Sequence, residues 1–299
     1  MVSNNINLIE LPVYTSTGNA VLFEERFDRL IKNHPVFKDL KGGVLEIIKP
    51  VRQSVINHFS FLGLDVSVRL PQPDWVYIQD FEDYTKLSKF FGYPESAHGF
   101  YDFLSRRLVI KQTDKDGFPY PTEEIAVTVC HEYWHAACHT NIELDSSGRP
   151  VRVTKSFQGC QYFREALIDI GVMATVKYCW KTDDLLKIFS RYGYYNAINY
   201  LGNVIVLDRT LEEVAEKSGL NYREVLEKLH KDYALGENSS TMLLTRYLGE
   251  AAAGRLLSMP LVGEKEAPTF IENMGIKNFA KNEWLKTGSS KDYIYCKNL

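Results

Sequence analysis

The chain has 299 residues, of which 45% are hydrophobic and 13% aromatic, with 35 Lys and Arg against 38 Asp and Glu. That is enough apolar material for a sizeable core, and it excludes disordered, collagen-like and disulfide-scaffold classes. A net charge of −3 gives no electrostatic reason to expect a nucleic acid as the main partner.

Taken in chain order, the first helical spacing is Phe23, Phe27, Leu30 and Ile31, and the second runs through Val44, Ile47, Ile48, Val51, Val55, Ile56 and Phe59. Pro50 is expected to kink this second helix and Gly63 to end it. The alternating segments 66–70 and 75–78, separated by Pro71 and Pro73, read as strands. A helix over 84–91 follows. Arg107-Leu108-Val109-Ile110-Lys111, entered through Gly99-Phe100-Tyr101-Asp102, is a third strand, and its charged ends predict an edge position. Pro121-Thr122-Glu123-Glu124 then opens a helix, with acids in the first turn where the helix dipole favours them.

Beyond a polar stretch at 140–148 the chain reads as mainly helical, over 163–180, 183–192, 211–217, 222–232 and 241–259, with a polar tail from Pro260. We place a lobe boundary near residue 140, giving an N-terminal lobe of 1–140 and a helical C-terminal lobe of 141–299. No internal repeat or low-complexity tract interrupts this pattern.

The helix opened at 122 contains His131-Glu132-Tyr133-Trp134-His135, an HExxH sequence. Positions four apart on a helix project to the same side, so both imidazoles can share one metal ion. Glu132 stands beside the first of them, where its carboxylate can take a proton from a water held on that ion. The flanking Ile125, Ala126, Val127, Val129, Cys130, Ala136 and Ala137 make the helix apolar nearly all round. Buried imidazoles and a buried carboxylate need partners, and a metal would satisfy them together.

Catalytic zinc takes three protein ligands and leaves a fourth position for water. The extended metzincin pattern is absent, since Cys138 and Asn141 stand where Gly and His would be required. His139 lies one further turn along the same helix, too far along the axis to converge easily on the same ion. Arg164-Glu165-Ala166-Leu167-Ile168-Asp169 supplies a better third ligand. Glu165 can give the metal an oxygen, while Asp169, one turn on, can accept the free ring N–H of a ligating histidine.

HExxH followed by a helix bearing Glu-x-x-x-Asp resembles the gluzincin group of zinc metallopeptidases, to which thermolysin belongs. The resemblance covers roughly residues 44–180. It implies one catalytic zinc ion on His131, His135 and Glu165, Glu132 as base and proton shuttle, and Asp169 behind a histidine. It also implies an α+β, zincin-like fold: a small twisted mixed sheet, a backing helix matching 44–59 and the active-site helix, followed by the mainly helical lobe. Gly99-Phe100-Tyr101-Asp102 and Leu108-Val109-Ile110 resemble the glycine-aromatic turn and edge strand of small gluzincins, and a peptide substrate is expected to pair with 108–111. Arg164 replaces the Asn that precedes the third ligand in thermolysin-like enzymes. For the residue that stabilises the oxyanion, Tyr194, Tyr195, Tyr222 and His230 all compete.

The competing reading is a zinc-binding protein without catalysis, or a DNA-binding regulator using 211–229, whose helix, Gly219 turn and second helix outline a helix-turn-helix. Arg223, Lys228 and Lys231 on that second helix are offset by Glu224, Glu227 and Asp232, so nucleic acid is not the expected partner. Cys130, Cys138, Cys160, Cys179 and Cys296 are too scattered for a disulfide framework. The start has no secretory pattern, and no apolar run has the length of a membrane span. These features lead us to expect a cytoplasmic protein without a membrane span.

Overall fold

The computed structural model describes residues 45–67, 69–102, 107–138, 142–144, 150–153, 157–180 and 200–277. The helices anticipated over 23–32 and 183–192, together with His139, Tyr194 and Tyr195, lie outside the described residues. Within them the fold is α+β and mostly helical, with nine α-helices around a small mixed sheet.

Helix α1 (Leu45–Phe61) contains Pro50 and buries Ile48, Val51, Val55 and Phe59 at helical spacing. The described residues of 66–70, which leave out residue 68, do not form the anticipated strand. Arg69 and Leu70 both donate their N–H to the Val66 carbonyl, and Arg52 of α1 donates to the carbonyls of Ser67, Leu70 and Pro71. One guanidinium therefore satisfies carbonyls that would otherwise need a neighbouring strand.

The sheet has the order β1-β3-β2. Strand β1 (Val76–Gln79) runs parallel to β3 (Arg107–Lys111), with Val76 opposite Leu108. Strand β2 (Gly99–Asp102) runs antiparallel to β3, with Gly99 opposite Ile110. This corrects the edge position expected for 107–111: β3 is central and all five of its residues are buried. Its charged ends are covered rather than solvated. The Arg107 guanidinium lies 4.5 Å from the Trp75 ring centroid, and Lys111 lies 4.7 Å from that of Tyr84 while donating to the Glu95 carbonyl at 2.8 Å.

One face of the sheet carries α2 (Phe81–Phe91), capped by Asp80, whose side chain accepts from the Asp83 N–H. Tyr84 and Leu87 of α2 form a small apolar cluster with Phe100 and Val109. Helix α3 (Thr122–Cys138) packs on β2 and β3 and against α1. It is buried nearly all round, which explains its weak amphipathic signal: Val129, Cys130, Tyr133, Trp134 and Ala137 are all inaccessible to solvent.

A short hairpin, β4 (Ile142–Leu144) and β5 (Pro150–Val153), precedes α4 (Gln161–Trp180). Helix α5 (Tyr200–Ser218) begins eleven residues before the anticipated start at 211. The added turns are buried on nearly every side, their polar residues included, so no amphipathic period marks them. Asn203 within them is fully buried because its side chain donates to the Pro260 carbonyl and accepts from the Val262 N–H. Helix α6 (Tyr222–Leu235) starts with a capping box between Asn221 and Glu224. The single helix expected over 241–259 is two, α7 (Ser239–Leu248) and α8 (Glu250–Leu257), divided at Gly249. Part of the expected tail forms α9 (Ala267–Asn273).

One apolar cluster runs from Ile48 to Ile276, with members on both sides of residue 140. Among the described residues no helix is long and apolar enough to cross a membrane.

Candidate metal centre

Helix α3 presents His131 and His135 one turn apart, their ring centroids 4.7 Å apart and their Nε2 atoms 3.0 Å apart. From α4, Glu165 Oε2 lies 3.2 Å from His131 Nε2 and 3.3 Å from His135 Nε2. Three donor atoms thus form a near-equilateral triangle. Tetrahedral zinc with nitrogen and oxygen ligands at about 2.0–2.2 Å spaces its ligand atoms about 3.3–3.6 Å apart, so the triangle fits such an ion with a slight expansion. The His131, His135 and Glu165 group can hold a metal ion.

Asp169 lies one turn beyond Glu165 on α4, and its Oδ1 is 2.9 Å from His131 Nδ1. A carboxylate there accepts the Nδ1 proton, which leaves the Nε2 lone pair directed at the centre of the triangle. The electrostatics agree with this geometry. Burial works against the ionised form of Glu165, yet the two histidines outweigh it and hold its carboxyl well below the usual range. Burial likewise opposes a charged His131, but the bonds to Asp169 and Glu165 raise its basicity well above the ordinary value. Two buried carboxylates beside two imidazoles favour positive charge at this point, which a proton on His131 or a divalent cation can supply.

Glu132 projects from α3 toward β2. It is 6% exposed, and burial pushes its carboxyl upward while His135 and His131, and to a smaller degree the backbone of Tyr101 on β2, act the other way. The close approach of helix and strand depends on Gly99. A Cβ there would meet Ile110 Cδ1 and Thr128 Cγ2 at 2.9 Å and Glu132 Cγ at 3.3 Å.

The structure thus brings His131, His135 and Glu165 together, sets Asp169 behind His131 and sets Glu132 beside the group. Tyr222 and His230 are engaged elsewhere. Tyr222 donates its hydroxyl to buried Asp208 at 2.5 Å, whereas His230, fully buried, has Nε2 at 3.0 Å from the Leu167 carbonyl and its ring tilted against that of Trp134.

A residue that sequence reasoning did not single out is Tyr200, the first residue of α5, 7% exposed and in ring contact with Tyr162. Burial, and after it the charges of Glu165 and Asp169, push its phenol ionisation upward, so its hydroxyl stays neutral. The signal for it would have been an aromatic residue opening the apolar run Val204-Ile205-Val206-Leu207 in the first helix described after the one carrying Glu165. Comparison of the chain with protein families, with characterised proteins and with solved structures returns no match.

Proposed function

We propose that this protein is a zinc-dependent metallopeptidase of gluzincin type with a zincin-like arrangement of sheet and helices. The observation that carries the reading is the coincidence of three converging donors with a buried carboxylate next to them on the same helix. Zinc bound there would polarise a scissile carbonyl and make a water acidic enough to lose a proton near neutral pH. His131, His135 and Glu165 would hold the ion, and Asp169 fixes the His131 tautomer. Glu132, made more basic by burial, accepts the water proton and returns it to the leaving amine. Tyr200 donates its hydroxyl to the carbonyl oxygen as negative charge develops on it.

The zinc-binding alternative without catalysis predicts a fourth protein ligand, because structural zinc is normally closed by four. Among the described residues only three donors converge. The DNA-binding alternative finds little support on α6, where Arg223 pairs with Glu227 at 2.6 Å and lies over the Phe61 ring. The strand at 108–111 is central, so peptide pairing there is withdrawn; β2 provides the sheet edge beside Glu132.

The test is metal analysis and peptide-library cleavage on wild type, Glu132→Gln and His135→Ala. We expect about one zinc per chain in wild type and Glu132→Gln, cleavage only in wild type, and loss of both in His135→Ala. A protein that takes up no zinc on titration, or Glu132→Gln that cleaves as wild type does, overturns the proposal.

A further inference from the structure

The metal-binding triangle is open to solvent on one side. The side chain of His131 is 6% exposed, whereas that of Glu165 is 13% and that of His135 26% exposed. A ligand arriving from solvent therefore meets the edge between His135 and Glu165 first. Arg164 stands at that edge, next to Glu165 in the opening turn of α4, and is itself exposed. The Tyr233 phenol on α6 marks the same place. Burial raises its ionisation, and Cys138, one turn beyond His135, and Glu165 add to this while Arg164 opposes it. One hydroxyl thus lies within electrostatic reach of the guanidinium, of Glu165 and of the residue just past His135.

Nothing in the described structure uses this cation. The Arg164 side chain makes no hydrogen bond, ion pair or ring contact among the described residues, and Glu165 beside it gives its carboxylate to the two histidines. Other arginines are engaged: Arg52 and Arg69 hold carbonyls, Arg209 and Arg223 hold glutamates, and Arg107 lies against Trp75. Nor does Arg164 stabilise its own helix, because the helix dipole disfavours a cation in the first turn.

We infer that Arg164 binds a carboxylate of the substrate, so that the site takes anionic peptides. The inference rests on the peptidase reading and names its substrate class. A guanidinium grips a carboxylate through two parallel N–H···O bonds, and Glu165, occupied at the metal centre, does not compete for it. The reach of an arginine next to a metal ligand spans about two or three residues of extended chain. The carboxylate is therefore the free C-terminus of a peptide cut near its end, or an Asp or Glu side chain close to the cleaved bond.

The experiment takes the peptide that wild type cleaves best, with any Asp and Glu changed to Asn and Gln, in three matched forms: the free acid, the C-terminal amide, and amides carrying Glu at each position within three residues of the cleaved bond. Fluorescence polarisation reads the binding of the N-terminally labelled peptides to zinc-loaded Glu132→Gln, alone and combined with Arg164→Gln or Arg164→Lys. We expect the parent to prefer one carboxylate form over the neutral amide by about 5- to 20-fold, between the worth of an exposed ion pair and that of a bidentate buried one. Arg164→Gln should bring that ratio to about one, and Arg164→Lys should restore part of it. Preference for the free acid identifies the C-terminus as the source, and preference for a Glu amide identifies the side chain. A parent that binds all forms alike, or a preference that survives Arg164→Gln, overturns the inference while cleavage by wild type leaves the peptidase reading standing. Loss of zinc in Arg164→Gln gives the arginine a structural role and also overturns it. If wild type cleaves no library member, the peptidase reading fails and this inference with it.

Discussion

The indole of Trp134 lies directly against the backbone of Gly171, so closely that a methyl group there would come within 2.6 Å of the ring. This contact sets the distance between α3, which carries both histidines, and α4, which carries Glu165. Trp134 cannot readily yield, because its Nε1–H donates to Thr175 at 3.1 Å and its ring is hemmed by Phe59, His58 and His230. The metal-binding triangle is therefore spaced by packing one layer behind it.

Gly171→Ala tests that spacing. Overpacking of this kind costs about 1–3 kcal/mol, and the displaced helices carry Glu165 away from the histidines. We expect a lower midpoint of urea unfolding together with weaker zinc binding by competitive chelator titration. Wild-type zinc affinity in the variant would mean that the Trp134 contact does not set the geometry.

Asp169→Asn keeps the shape of the residue behind His131 while removing its charge. Loss of such an outer partner typically lowers metal affinity about 10- to 100-fold. The same chelator titration measures it, and near-ultraviolet circular dichroism checks that the fold is retained.

Tyr200→Phe removes the hydroxyl proposed to stabilise the oxyanion, one that burial and the carboxylates of the site keep neutral. Loss of one donor to a developing oxyanion costs about 100- to 1000-fold in kcat, so we expect a fall of that order with zinc content unchanged and KM little altered. Steady-state kinetics on a library peptide decides it.

The histidines behind α3 predict an acid sensitivity separate from the metal centre. Burial holds His58 down at about 4 and His230 at about 3. As the pH falls below the ordinary histidine value, the unfolded chain takes up protons at both positions and the folded chain does not. Stability is therefore intact at neutral pH and declines by up to about 2–3 kcal/mol per pH unit between roughly pH 6 and 4. Urea unfolding across that range should show this slope, reduced by about half in His58→Phe.

The helix bearing His131, Glu132 and His135 could be read from the chain because spacing along one helix is a local property: residues four apart share a face in any surroundings. The same logic placed Glu165 and Asp169 on one face of α4. Tertiary structure alone decided that the two faces meet, that β3 is central, and that Arg52 completes the turn at 66–70. Charged ends misled at β3 because Arg107 lies against the Trp75 ring and Lys111 against the Tyr84 ring and the Glu95 carbonyl, and those partners lie far along the chain. Contacts of this kind join segments distant in the chain, and no periodicity within a single segment records them.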